Sequence, residues 1–284
     1  MVRLSLALLL VLPAVAFAAP PVEELPKDPK AKKIVLVAGS TYFKPGEHDY
    51  EAACGVLFDL LKQNDGIAPV YAVDWPKKDE TLTGAAAVVL FADGAEKHPL
   101  LTGERFKQIT KMADGGAGVV QLHQLADYPK DWTDRAKSLA GGVWAKDGGR
   151  RAHWVHEFKE FPDHPISRGV TPFKIDDGWL THLKFADEPK KMTPLLRTVD
   201  PKTSDKFKGD NDVVAWAYDR PAGGRAFTFT GGHLHASFAE EGYRRFVVNG
   251  ILWAAGVNIP KAGAKVELDA KKLPGYLQKP PEKK

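Results

Sequence analysis

The sequence predicts an α/β fold in which helices cover one mostly parallel sheet. Short and almost uninterrupted apolar runs recur along the first half of the chain, as expected for parallel strands that are buried on both faces. Longer amphipathic segments separate these runs, and strands that alternate with helical segments are typical of a parallel sheet. With 284 residues the chain is long enough for one large core, so we expect one domain with insertions rather than two domains.

The first half contains most of the predicted parallel strands. These strands are expected at residues 34–38, 69–73, 86–91 and 119–122. A helix is predicted at residues 48–63, where apolar side chains recur at helical spacing, and a second, less regular one at residues 100–113. Gly115 and Gly116 are expected to end this second helix and admit the next strand.

In the second half, the alternation of apolar runs and amphipathic segments is first interrupted. Tryptophans and paired glycines between residues 125 and 161 predict a loop-rich insertion. In α/β proteins such insertions lie at the carboxyl ends of strands, where ligands bind. Three further strands and a closing helix are then expected, at residues 193–199, 213–218, 225–230 and 243–255.

Both ends of the chain differ in composition from this central part. Residues 1–18 have a charged start, a short apolar run and a small-residue cleavage site, which predict a signal peptide and export to the periplasm or out of the cell. Residues 19–33 are interpreted as a linker, residues 34–258 as the domain and residues 259–284 as a basic extended tail. No other stretch is apolar enough to span a membrane, so we expect no transmembrane segment in the mature chain. Because the positive charge is concentrated in the tail, nucleic acid is not an expected partner.

Most of the nine histidines lie beside predicted strand ends or glycine turns, where loops build binding sites. His48 and Asp49 follow the first strand, and they either face a site or belong to an acidic cap of the first helix. His123 ends the fourth strand, where a tight turn would lift its side chain into the ligand crevice. Its imidazole suits a base, an acid or a metal ligand, although such a histidine also commonly bonds a neighbouring carbonyl.

His233 and His235 follow the last predicted strand. Because alternate residues of an extended segment point the same way, both rings are expected to face one site. Two imidazoles on one side can bind a divalent metal, and His48 or His123 would supply a third nitrogen. The spacing matches no dedicated metal-binding motif, so the cofactor stays open, with a divalent metal as the candidate.

A polar segment with an aromatic ring, Asp176-Asp177-Gly178-Trp179, and a turn at His164 complete the candidate residues. Carboxylates suit the hydroxyl groups of a sugar, and an indole suits the apolar face of its ring. An ordinary capped turn has the same composition, and that interpretation stays open. Three other histidines either line the same crevice or pack near the surface, and near-surface packing is the expected arrangement: His153, His156 and His182.

Several short motifs occur in a characteristic order. They are the Gly-Glu-His48-Asp loop, the strand end at His123, the Asp-His164-Pro-Ile turn, the Asp-Asp177-Gly-Trp179 segment, Gly-Gly-His233-Leu-His235 and the helix end at Trp253. Across residues 32–258 this order resembles the ThuA-like, trehalose-utilisation family. The resemblance implies a class I glutamine amidotransferase-like, flavodoxin-type three-layer sandwich, and a role in the uptake or breakdown of trehalose and other sugars.

The resemblance also bears on the chemistry. His123 stands where true amidotransferases place a cysteine, and the only cysteine, Cys54, lies on the first predicted helix, so glutaminase activity is not expected. Similar exported sequences usually carry glutamate and tyrosine where this chain has Gly178 and Leu180. This departure implies either altered specificity or the loss of catalysis.

We therefore expect an exported protein that acts on, or binds, a small carbohydrate, such as a trehalose-type sugar, a keto-sugar or a glycoside, in a histidine-rich crevice. If it is an enzyme, general acid or base catalysis by histidine would serve a hydrolase, lyase or isomerase. The expected catalytic residues are His123, His48 and Asp177. The expected substrate-binding residues are Asp49, His164, Trp179, His233 and His235, and the candidate metal ligands are His233, His235 and His48. The alternatives are a non-catalytic carbohydrate-binding protein and an envelope interaction protein.

Overall fold

The computed structural model describes residues 19–41, 43–188, 191–202 and 212–278, so the predicted signal peptide lies outside the described residues. Strands in these ranges are β1 (Lys32–Ala38), β2 (Ile67–Val73), β3 (Ala87–Phe91), β4 (Gly118–Leu122), β5 (Gly142–Val143), β6 (Arg150–Phe158), β7 (Phe173–Thr181), β8 (Lys184–Phe185), β9 (Met192–Arg197), β10 (Val213–Asp219) and β11 (Arg225–Phe229). Helices in these ranges are α1 (Tyr50–Lys62), α2 (Asp79–Leu82), α3 (Arg105–Asp114), α4 (Thr133–Ala140) and α5 (Glu241–Ala254).

Seven of these strands form one mixed sheet in the order β2, β1, β3, β4, β11, β10, β9. The first five strands in this order pair in parallel, whereas β10 is antiparallel to both β11 and β9. The predicted α/β class with a mostly parallel sheet is therefore confirmed. From β1 the chain continues to β2 on one side and later to β3 on the other, which makes the edge above β1 and β3 a topological switch point, where open α/β sheets bind ligands.

The central strands are buried on both faces, which explains their continuous apolar runs. In β1, Ile34 and Leu36 pack into the core layer that contains α1 and α5. Val35 and Val37 pack into the opposite layer, which contains α3 and α4. Because successive side chains of a strand point to opposite faces, each run supplies both layers of the three-layer sandwich.

The region predicted to be a loop-rich insertion is more regular than expected, because it contains α4 and β6, the first strand of a long hairpin. Strand β6 pairs with β7 in antiparallel register, and His153 lies opposite Gly178. In the second half of β6, exposed Val155 and Glu157 alternate with buried Trp154 and Phe158. This alternation is the usual pattern of a strand with one solvated face.

The described part of the tail, residues 259–278, packs against the domain. Leu273 is buried, the hydroxyl of Tyr276 donates a hydrogen bond to Asp59, and the backbone N–H of Gln278 donates one to Asp49. The last of these bonds joins the tail to the loop that precedes α1. Among the described residues, no helix has both the length and the apolar character needed to cross a bilayer.

His98 is buried between β3 and α3 and makes the folded state sensitive to acid. Its Nδ1 accepts a hydrogen bond from the N–H of Leu100, and its Nε2 donates one to the carbonyl of Leu125. Burial lowers the pKa of His98 to about 3, and the bond to Leu125 only partly opposes this. Since the unfolded chain takes up a proton near the ordinary value of 6.5, the stabilisation is complete above that pH and is lost as the pH falls towards 3.

We expect His98 to cost the folded state about 1.4 kcal/mol per pH unit between pH 6 and pH 4. Urea unfolding at pH 7, 6, 5 and 4 should show a shallower decline in the free energy of unfolding for His98→Gln than for the wild type. Equal declines in the two proteins would show that the His98 ring is not held neutral.

Candidate functional site

His123 stands at a sharp turn directly after β4. Its φ of 55° lies in the left-handed region, which residues other than glycine rarely adopt and which is often found at functional sites. Its Nδ1 donates a 2.8 Å hydrogen bond to the carbonyl of Thr230, which follows the neighbouring strand β11. This bond places the ring proton on Nδ1 and leaves the lone pair of Nε2 available.

His48 lies in the loop between β1 and α1, and its φ of 48° is also left-handed. Its Nδ1 lies 2.8 Å from the hydroxyl of Tyr50, and that hydroxyl donates a 2.8 Å bond to Oδ1 of Asp93. Because the single phenol proton goes to the carboxylate, Nδ1 of His48 must donate to Tyr50, which leaves its Nε2 lone pair available. Burial opposes ionisation of Asp93, but the nearby His48 ring and the hydrogen bond from Tyr50 lower its pKa to about 2.

His233 is positioned by a buried carboxylate. Asp177, on β7, is fully buried and accepts hydrogen bonds from the N–H groups of Gly232 and His233 at 2.9 and 2.8 Å. It also accepts a 3.2 Å bond from the hydroxyl of Ser237. Burial raises the pKa of Asp177 to about 6, although these donors oppose the shift. The carbonyl of His233 in turn accepts a 3.1 Å bond from the N–H of His48, which joins the two loops.

These three residues, His48, His123 and His233, form what we call the histidine cluster. One nitrogen from each ring lies within 4.8 Å of the others. The ring centroid of His48 lies 4.9 Å from that of His123 and 4.4 Å from that of His233. The expected convergence of strand-end histidines at one sheet edge is therefore present for these three.

The protonation states of His123 and His233 favour a role as metal ligands over a role as general bases. Burial, followed by repulsion from His48, lowers the pKa of His233 to about 4. The same two causes hold the pKa of His123 well below its usual range. Both rings are therefore neutral at pH 7, which is the form of imidazole that binds a metal. A histidine with so low a pKa is a weak general base at that pH.

The spacing of one nitrogen pair, from His123 and His233, fits two ligands of a divalent metal such as Zn²⁺. Two nitrogen ligands at about 2.0–2.1 Å from a tetrahedral zinc lie roughly 3.3–3.4 Å apart. Nε2 of His123 and Nδ1 of His233 are separated by 3.3 Å. Three protein nitrogens leave a fourth position for water or substrate, which is the arrangement of catalytic rather than structural zinc sites.

Each ring of the cluster has a polar neighbour beside its remaining nitrogen. The first two rings bond a carbonyl and a phenol, as described above, and Nε2 of His233 lies 3.6 Å from Oε2 of Glu47. Such partners orient metal-ligating histidines and fix their tautomers. A hydrogen bond from Lys44 lowers the pKa of Glu47, so this carboxylate remains charged.

A crevice of about 1070 Å³ opens beside the cluster, where His48 and Asp93 are part of its wall. Deeper in the wall, buried Asp127 forms a 2.5 Å ion pair with Arg151, whose guanidinium lies 4.3 Å from the centroid of the Trp144 ring. The described lining residues include four acidic and four basic side chains, a balance that suits a polar ligand without net charge.

His235 does not join the cluster. A 3-10 helix, His235–Ala239, begins at this residue, so the extended alternation that would aim both rings at one site ends before it. Its Nε2 donates a 3.2 Å hydrogen bond to the carbonyl of Leu273 in the tail, and its ring packs near Phe238. The structure thus corrects the expectation that His233 and His235 share a metal, and His123 takes the place of His235.

Two further candidates cap the N-termini of helical segments instead of facing the crevice. Asp49 accepts a 3.3 Å hydrogen bond from the N–H of Ala52 and caps α1, which is the alternative that the sequence left open. His164 accepts a 3.2 Å bond from the N–H of Ile166, and its ring packs 5.1 Å from that of Trp253 at the end of α5. Neither residue lines the crevice beside the cluster.

Trp179 was expected to stack on a sugar, but it belongs to the core. Its side chain is 1% exposed, its Nε1 donates a hydrogen bond to the carbonyl of Trp154, and its ring packs near Phe229. An indole enclosed in this way has no free face for a ligand. Among the described residues, the tryptophan that lines the crevice is Trp144 instead.

Several residues around the cluster were not predicted. They are Glu47, Tyr50, Asp93, Asp127 and Arg151, and the ring of His153, which was expected to pack near the surface, lies 4.3 Å from that of His233. Asp93 was recognisable in principle, because it closely follows β3 and the carboxyl ends of parallel strands share one edge. Arg151 and His153 lie on β6, a strand that the sequence pattern did not predict.

Comparisons with known proteins agree with this fold. The sequence matches the ThuA family, described as trehalose utilisation, over residues 34–254. Comparison with curated proteins finds no match. A solved ThuA-like protein from Bacteroides uniformis has 17% identity and a TM-score of 0.58, covering 86% of this chain and 98% of its own. One from Parabacteroides merdae has 16% identity and a TM-score of 0.56, covering 88% and 100%.

A cytoplasmic protein from Salmonella typhimurium is also similar, with 12% identity, a TM-score of 0.50 and coverage of 79% of this chain and 99% of its own. At such low identities, similarity to these structures shows the fold alone. The family match spans most of the chain and includes the whole histidine cluster together with Asp177. The chain therefore belongs to the ThuA family, whose description as trehalose utilisation supports a general role in carbohydrate metabolism.

Proposed function

We propose that this protein is a metal-dependent enzyme that acts on a carbohydrate bound in the crevice beside the histidine cluster. The observation that carries the proposal is the convergence of three imidazoles, with one nitrogen of each ring within 4.8 Å of the others and one pair, from His123 and His233, at 3.3 Å. The depressed pKa values of His123 and His233 support ligation by these two rings rather than the general base role that the sequence favoured for His123.

A bound divalent metal supplies a Lewis acid that polarises a carbonyl oxygen or activates a water. The protein holds the rings of His123 and His48 in fixed tautomers, the first through Thr230 and the second through Tyr50 and Asp93. Glu47 keeps its charge beside Nε2 of His233, because a hydrogen bond from Lys44 lowers its pKa, and it therefore orients that ring. Asp177 takes no part in proton transfer in this account, since it is buried and positions the loop of His233.

The crevice supports a carbohydrate as the substrate. The Asp127 carboxylate and the Arg151 guanidinium provide hydrogen-bond acceptors and donors next to each other, as neighbouring hydroxyl groups require. The balanced charge of the lining favours an uncharged sugar over a sugar phosphate. The trehalose-utilisation description of the family agrees with this substrate class.

Calorimetry and product analysis test the proposal. The purified protein, either saturated with Zn²⁺ or stripped by a chelator, would be titrated with trehalose, maltose, sucrose, glucose and a keto-sugar. We expect the zinc-bound form to bind and convert at least one of these sugars, and the stripped form to convert it at least about tenfold more slowly, which equals 1.4 kcal/mol. Binding without product would support a non-catalytic carbohydrate-binding protein, and the absence of any binding would contradict both functions.

We also propose that the protein acts after export. The charged start, the short apolar run and the small-residue cleavage site within residues 1–18 support this location. Amino-terminal sequencing of protein recovered from the periplasm or the medium should begin at Ala19. Full-length protein that keeps Met1 and stays in the cytoplasm would contradict export.

A further inference from the structure

His153 stands against the histidine cluster from the opposite side of the site. It lies on β6, directly across the hairpin from Gly178 on β7. Its ring centroid is 4.3 Å from that of His233, with the two rings nearly perpendicular at 83°. This contact brings a fourth imidazole to the cluster, from a strand that is separate from the three loops carrying the other three.

Gly178 makes this contact possible because it has no side chain. A Cβ at this position would lie 3.0 Å from Cε1 of His153 and 3.0 Å from Cγ of His233, closer than most Cβ contacts in proteins. The φ of Gly178 is outside the left-handed region, so backbone conformation does not require glycine there. Space does, since any larger residue would push the two imidazoles apart.

His153 also differs from the cluster residues in its exposure and bonding. It is exposed, whereas His123 and His233 are buried. Among the described residues, neither ring nitrogen of His153 has a hydrogen-bond partner, whereas each cluster residue has at least one bonded ring nitrogen, to Thr230, to Tyr50 or within the cluster. An imidazole with unengaged nitrogens beside a metal-binding arrangement is available to bond a ligand.

The strand β6 links this imidazole to the crevice. Arg151 and His153 are two residues apart, so their side chains point to the same face of the strand. Arg151 lines the crevice and pairs with Asp127, whereas His153 contacts His233. The same face of β6 therefore carries Arg151 to the crevice and His153 to the cluster.

We propose that His153 is a substrate-contacting residue of this site and that it hydrogen-bonds the sugar next to the atom that reacts. Gly178 leaves the space that the His153 ring occupies. This inference rests on the proposed carbohydrate function. Arg151 and Asp127 then hold the part of the sugar within the crevice, and His153 orients the part that reaches the cluster.

The test uses the full mature protein saturated with Zn²⁺ and the sugar of the panel that the wild type binds most tightly, starting with trehalose. We expect His153→Ala to weaken sugar binding about tenfold while Zn²⁺ affinity changes less than about twofold, because one hydrogen bond to the ligand is lost. His153→Gln should recover part of the affinity, because its amide also bonds a hydroxyl. Gly178→Ala should weaken both sugar and Zn²⁺ binding, because the His233 ring must move.

Val155→Ala is the matched control, since Val155 is the next residue on the same exposed row of β6 and is 51% exposed. It should bind sugar and Zn²⁺ as the wild type does. Wild-type sugar affinity in His153→Ala, with the wild type binding normally, would overturn the inference and leave the proposed function standing. Failure of the wild type to bind any sugar of the panel would overturn the proposed function, and the inference with it.

Discussion

His123→Asn should abolish Zn²⁺ binding and turnover while leaving the fold intact. The substitution removes one of three nitrogen ligands, and even the loss of an outer partner of a metal ligand costs about 10–100-fold in affinity. We therefore expect a loss of Zn²⁺ affinity of more than about a hundredfold. Asparagine is the appropriate replacement because it tolerates the left-handed backbone that this turn requires, with φ near 55°.

The control for this variant is His182→Asn, because His182 is also left-handed, with a φ of 58°, and its ring bonds Thr181. The control should bind Zn²⁺ and turn over substrate as the wild type does. Zinc affinities come from calorimetry with a competing chelator, and folding is checked by circular dichroism and urea unfolding. If His123→Asn kept full zinc affinity and full activity, the assignment of His123 to the site would be abandoned.

Asp177→Ala should both destabilise the protein and loosen the metal site. The carboxylate accepts hydrogen bonds from two N–H groups of the His233 loop and from the hydroxyl of Ser237, and alanine leaves these buried donors without an acceptor. Each buried unsatisfied group costs about 1–3 kcal/mol, so we expect the free energy of unfolding to fall by about 3–5 kcal/mol. Zinc affinity should fall about tenfold or more, since the backbone of His233 is no longer fixed.

The neighbouring Asp176 provides the control, because it has the same chemistry but lies on the exposed face of β7. Asp176→Ala should change the free energy of unfolding by less than about 0.5 kcal/mol and leave zinc affinity unchanged. If Asp177→Ala unfolded completely, Asp177→Asn would retain one acceptor oxygen and allow the zinc measurement. Equal effects of the Asp176 and Asp177 substitutions would contradict the positioning role.

The parallel sheet and the convergence of the cluster could be predicted because both depend on regular periodicity. Apolar runs mark strands that are buried on both faces, and the carboxyl ends of parallel strands share one edge. His48, His123 and His233 each follow a strand of this sheet, so their meeting follows from topology. No detailed knowledge of side-chain packing was needed.

The parts that could not be predicted depend on where regular structure stops or on contacts between distant segments. His235 was misplaced because the extended segment gives way to a 3-10 helix at that residue. Trp179 was misplaced because tryptophan composition alone does not distinguish a core ring from a stacking platform.

His153 illustrates the same limit in the opposite direction. Its importance depends on the pairing of β6 with β7, which brings it opposite a glycine, and on the space that this glycine leaves. The tryptophans and paired glycines around β6 predicted loops, and they obscured the alternation of buried and exposed residues in the strand. Register between distant strands is set by tertiary packing, which a single sequence does not display.

The claim on which the mechanism depends is that three histidines bind one divalent metal, and X-ray absorption at the zinc edge tests it most directly. For the wild type with one equivalent of Zn²⁺, we expect about three imidazole nitrogens at roughly 2.0–2.1 Å and one oxygen ligand. The imidazole scattering should decrease by about one ring in His123→Asn. A zinc shell made of oxygen alone, or one that is identical in the two proteins, would contradict the account.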